Sequence, residues 1–214
     1  MMPGGVAAFA LGLLGAVFGL GADRLAARWP AHEDGSVRGL DWRTAVVVVI
    51  AGLAFWALPG RWGAPRDGLI IGLWFAALII LLATDFDQRL LPDLITLPLI
   101  PISLALVLVG WDPILADRSL ALQSAVAAGL GLPILLGLTN VIFRGGLGLG
   151  DLKLAVSLGL MAGLSHLVAG LIAAAVAGAV VLVALLLARR ITLRSYIPFG
   201  PVLIVGGLIA ALRP

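Results

Sequence analysis

Long apolar runs separated by short polar ones dominate the chain. They fall at residues 5–22, 45–58, 68–84, 94–110, 120–143, 152–164, 166–188 and 197–212. Apolar runs of about 20 residues match a bilayer-crossing helix, whereas barrel strands alternate over about 10. The pattern therefore predicts an all-α polytopic integral membrane protein, a bundle of about eight transmembrane helices. The second and sixth runs are short for a full span, so six or seven is the alternative count. Nothing divides the chain, and residues 1–214 read as one transmembrane domain whose longest polar segment is the loop 23–43. Small residues let helices approach in lipid, and Gly12, Gly15 and Gly19, like Gly129, Gly131 and Gly137, are expected at such contacts.

The composition agrees, with 62% hydrophobic and only 12% charged residues, too apolar for a single water-soluble core. Cysteine is absent, which excludes disulfides, thiolate metal sites and a cysteine nucleophile. No cofactor or metal is expected. The net charge of +3 comes from Lys and Arg in or beside loops, where they meet membrane lipid; no nucleic-acid partner is implied.

Of the 14 Lys and Arg, ten lie in alternate loops on one side and four on the other. The richer side is the cytoplasmic one, which puts both termini outside and the 23–43 loop in the cytoplasm of a multi-pass inner (plasma) membrane protein. The first run has no basic residue before it and Arg24 and Arg28 after it, the reverse of a cleavable signal peptide, so it is expected to stay as an anchor helix.

Two aspartates interrupt the apolar pattern on that cytoplasmic side. Asp85 ends the third run in TDFDQRLLPD, and Asp151 opens the sixth in GLGLGDLKL. An ionisable group at a helix centre in lipid costs about 2.5–3.5 kcal/mol on insertion scales, so such residues mark function or a paired polar network. Pro92 breaks the helix after Asp85 and leaves Asp93 near the next start, where a carboxylate caps free N–H groups. Gly145, Gly146, Gly148 and Gly150 leave the backbone before Asp151 bare enough for an extended peptide to approach. Lys153 is expected to snorkel to head groups. A phosphate-binding loop does not fit, since neither a preceding strand nor a following Gly-Lys-Ser/Thr is present.

Two aspartates brought together cannot easily both ionise, which leaves one acid and one base. Such a pair activates water against a peptide carbonyl and protonates the carbonyl oxygen. The alternatives are ion pairing of each aspartate with Arg89, Arg144 or Lys153, or a transporter or ion pathway that uses Asp85 and Asp151 as a relay.

D-F-D-Q-R-L-L-P-D-L-I-T-L-P at 85–98, followed by G-L-G-L-G-D-L-K-L at 146–154, resembles the bacterial type IV prepilin peptidase family. The later I-P-F-G-P at 197–201 and the earlier L-G-A-V-F-G-L-G-A-D-R-L are similar to that family's segments too. The G-x-G-D signature is shared with presenilin-like membrane aspartyl proteases. The resemblance implies an aspartyl endopeptidase that removes the basic leader of a prepilin or pseudopilin precursor at the cytoplasmic face. It makes Asp151 one catalytic acid and Asp85, with Asp93 eight positions on, the other; Asp87 is the alternative first acid. Arg89, Gly148, Gly150 and Lys153 are expected to support the site, and Asp87 and Asp93 to attract the basic leader. Many members carry Cys-x-x-Cys pairs for metal in the first loop and also N-methylate the new N-terminus. The cysteine-free 23–43 loop argues against zinc and puts methylation in doubt.

Overall fold

The structure is a computed structural model that describes residues 3–31, 35–115, 118–142, 148–188 and 199–213. Among them are seven helices and no strand: α1 Pro3–Ala26, α2 Trp42–Arg61, α3 Pro65–Gln88, α4 Asp93–Val109, α5 Arg118–Ile142, α6 Leu149–Leu187 and α7 Gly200–Leu212. Five are long and apolar enough to cross a membrane, and α4 and α7 are shorter apolar helices. Side chains such as Phe9, Leu13, Leu69, Leu73 and Val180 stand exposed on the outside of the bundle. Water would penalise that surface and lipid does not. The chain is an all-α polytopic membrane protein.

Seven helices replace the eight expected. The sixth and seventh runs form one helical stretch of 39 residues, interrupted only at Gly163, whose φ of 63° and ψ of −179° are not helical. Leu158 lies before that residue and Leu171 after it, yet Leu158 packs where a Cβ on Gly207 would be and Leu171 where one on Gly206 would be. A straight helix would separate those leucines by about 20 Å. The chain therefore doubles back at a single glycine, with no loop to divide the helices. A side chain at Gly163 would also strike Leu115 and Ser124, at 2.6 and 2.7 Å.

Local signals set several helix ends. Asp41 caps α2, accepting from the N–H groups of Arg43 and Thr44 at 2.9 and 3.4 Å, while the Thr44 hydroxyl accepts from the Asp41 N–H. Arg89 closes α3 in the left-handed region at φ 56°, and Pro92 precedes α4, which starts at Asp93 as expected. Gly110 at φ 69° ends α4.

Packing divides the helices into α1–α3 on one side and α4–α6 on the other, with α7 touching both α3 and α6. Helix α3 supplies much of the core, with Ile71, Phe75, Leu78, Ile79, Leu81 and Leu82 buried. Gly12, Gly15 and Gly19 do lie against α2, where added Cβ atoms would fall 2.6–2.9 Å from those of Trp56, Phe55 and Ala51. Gly129 likewise meets Leu160 of α6. Gly131 and Gly137 do not make the contacts expected of them and have nothing within 4 Å. Residues two apart sit about 200° around a helix, so Gly131 turns away from the α6 face that Gly129 occupies.

Candidate active site

The last turn of α3 brings Asp85 to one end of the bundle, and the first turn of α6 brings Asp151 to the same end. Asp85 is 6% exposed, and its Oδ2 is buried with no hydrogen-bond partner among the described residues. A buried carboxylate oxygen left unpaired is costly, of order 1–3 kcal/mol or more, and no described residue offsets that cost here. Asp151 is half-buried and accepts from the Gly148 N–H at 3.2 Å across the open end of its own helix. The two carboxylates lie within Coulombic reach of each other, and Arg89 within reach of Asp85.

Glycines let the pieces close. Gly150 lies against Leu91, whose Cβ would be 2.9 Å from an added Cβ, so the start of α6 rests directly on the segment joining α3 and α4. Gly148 is extended and leads into α6; Gly145, Gly146 and Arg144 lie outside the described residues. Gly200, the first residue of α7, abuts the Asp85 carboxylate: an added Cβ would be 2.7 Å from Cγ and Oδ2 and 2.8 Å from Oδ1. Asp151 stands in the first turn of α6, where partial positive charge favours a carboxylate, while Asp85, in the last turn of α3, faces the first residue of α7.

The other acids of the motif are occupied. Lys153 does not snorkel alone but donates to Asp93 Oδ1 and Oδ2 at 2.6 and 2.8 Å, tying α6 to α4. Asp87, two residues past Asp85, accepts from Arg38 Nε at 2.5 Å and has Arg43 at 3.8 Å. Arg38 also reaches Asp23 at 2.5 Å and Asp41 at 2.6 Å, while Arg24 pairs with Asp23 as well. Asp23 and Asp87 are almost wholly buried beneath this cluster. Burial pulls the Arg38 guanidinium down, but its bonds to Asp23 and Asp87 outweigh that and hold it above its ordinary value. The first loop is thereby clamped to the ends of α1, α2 and α3 by arginine. Among the described residues no group of three His, Asp or Glu is placed to hold a metal ion.

A profile of the type IV leader peptidase family matches residues 72–183, a stretch that contains both aspartates and four whole or partial helices around them. The chain belongs to the type IV leader peptidase family. It is also similar to a Pseudomonas putida prepilin leader peptidase/N-methyltransferase, with 35% identity over 138 residues, 64% of this chain and 46% of that protein. The chain thus spans under half the length of this relative. No solved structure matches it.

Three residues around the two aspartates escape a reading of the sequence. Asp23 and Arg38 read there as loop charges; the signals for Asp23 are that it directly follows an apolar run and falls within the family-like segment L-G-A-V-F-G-L-G-A-D-R-L, and Arg38 has none. Gly200 is visible only as part of I-P-F-G-P, with nothing to say which residue it faces.

Proposed function

We propose that this chain is a membrane aspartyl endopeptidase that removes the basic leader of type IV prepilins or pseudopilins at the cytoplasmic face, with Asp85 and Asp151 as its catalytic pair. The observation that carries the reading is the placement of both carboxylates at one end of the bundle, within Coulombic reach of each other and inside the stretch that matches the family. The ionised member takes a proton from water as it attacks the peptide carbonyl. The protonated member donates to the carbonyl oxygen, and the departing amine is protonated as the tetrahedral intermediate collapses. The bare backbone at Gly148 and Gly150 supplies room for an extended substrate strand.

The bonding of Asp87 to Arg38 favours Asp85 as the first acid, because a carboxylate committed to a buried guanidinium is poorly disposed to handle water. Asp87 and Asp93 each already have a cation, which supports an architectural role for both rather than capture of the leader. A relay through the membrane would place carboxylates near its middle, whereas these two stand at helix ends. Peptidase activity without N-methylation is the reading favoured by the short, cysteine-free loop 23–43.

The test is cleavage of a model prepilin, basic leader intact, by membranes holding wild type, Asp85→Asn, Asp87→Asn or Asp151→Asn at matched folded amounts. Asp85→Asn and Asp151→Asn are expected to lose cleavage by about 10⁴-fold or more, while Asp87→Asn retains it per folded molecule. Loss at 87 and not at 85 would move the first acid, and an inactive wild type would sink the peptidase reading. The mass of the mature N-terminus reports methylation in the same samples.

A further inference from the structure

We infer that Gly200 is a positioning residue for Asp85: the bare backbone at the start of α7 is the wall on which that carboxylate is seated, and α7 thereby sets the geometry of the pair. The inference rests on the peptidase reading for its catalytic meaning, but its structural half stands independently.

Conformation does not explain a glycine here. Gly200 is buried, lies within α7 and is not among the positive-φ residues of the chain. Alanine has the better helix propensity, so the glycine needs another reason. What alanine lacks is space, since its methyl would sit 2.7–2.8 Å from three atoms of one carboxylate group. Asp85 is itself buried, at the end of a helix whose neighbouring residues Leu81, Leu82 and Thr84 are buried too, so its carboxylate has little open space to turn into.

Helix α7 has little freedom to yield either. Lower down, Gly207 meets Leu158 and Leu78, Gly206 meets Leu171, and a Cβ on Gly170 would strike the Gly206 carbonyl. At its far end Trp62 donates to the Ala211 carbonyl at 3.1 Å and Arg61 to the Arg213 carbonyl at 2.9 Å. The helix is therefore seated along its length between the element that carries Asp85 and the one that carries Asp151. A methyl at 200 is relieved only by rotating the Asp85 carboxylate or tilting the head of α7, and either change alters how the two acids face one another.

The test has a structural and a kinetic arm. Thermal unfolding in detergent is measured for wild type, Gly200→Ala, Asp85→Ala and the double variant. Gly200→Ala is expected to lower Tm in the wild-type background and to leave it unchanged or raise it beside Asp85→Ala, where the carboxylate is gone. An equal loss in both backgrounds would overturn the seating. If Gly200→Ala does not fold alone, a double variant that folds supports the seating and one that fails to fold overturns it. Kinetically, folded Gly200→Ala should lose about 100-fold in kcat with KM within about twofold of wild type, because the acid is misplaced while the peptide path is untouched. Wild-type kcat in the folded variant would overturn the positioning role. An inactive wild type with the Tm coupling intact would strike at the peptidase reading and leave the contact standing.

Discussion

Single carboxylates in this protein differ by what surrounds them. Asp85 is buried with one oxygen that no described residue serves, whereas Asp87 and Asp93 are bound by Arg38 and Lys153. Asp112, in the turn after α4, is a third case. Its Oδ1 accepts from the N–H groups of Ile114 and Leu115 at 2.8 and 3.2 Å, and its Oδ2 is buried without a partner among the described residues. Burial pushes its carboxyl up to about 6, against the pull of those two donors. An acid raised on folding binds more protons in the native state, so its contribution to stability falls as pH rises from about 4 to about 6 and stays low above. Asp112→Asn keeps the turn-forming oxygen and removes the charge. Relative to wild type it should gain about 2 kcal/mol as pH passes through that window, read by thermal unfolding from pH 4 to 8. A constant difference between the two proteins across the range would rule the assignment out.

Helix ends matter more here than helix middles. Three carboxylates from α1, α2's cap and α3 converge on Arg38, a loop residue, with Arg24 and Arg43 completing a cluster of balanced charge. Removing the central cation leaves buried Asp23 and Asp87 short of their partner, a change that costs about 3–5 kcal/mol when a buried pair is broken. Arg38→Ala should lower Tm sharply and loosen residues 35–41, detected as faster hydrogen exchange there. Arg38→Lys should recover only part, since an ammonium cannot present the planar fork that meets three acids. Unchanged exchange and Tm in Arg38→Ala would show the clamp to be dispensable. The position of these charges is legible as a polar loop; their partners are not, because Asp87 is distant in sequence and nothing in the spacing joins it to Arg38.

For the molecule as a whole, the asymmetry of Lys and Arg sets an expectation of sidedness that the packing makes testable. The first loop is fastened to the dyad end through Arg38, and Ala64, the cap of α3, lies at the other end of that helix. Because the chain has no cysteine, single substitutions report cleanly. Ser36→Cys should react with a membrane-impermeant maleimide only after the cells are opened, and Ala64→Cys in intact cells. The reverse pattern would put both aspartates outside and remove the cytoplasmic reading.

Hydropathy and charge act locally and add along the chain, which is why the sequence by itself determined the membrane class, the positions of the apolar runs, the break at Pro92 and the two aspartates worth attention. Tertiary structure alone decided the rest. It showed that Gly163 reverses the chain within one helical run, that Gly129 packs while Gly131 does not, and that Asp87 is committed to Arg38 while Asp85 rests against Gly200. Each of these depends on which face of which helix meets another, a distance in space between residues far apart in the chain, and no local pattern carries that distance.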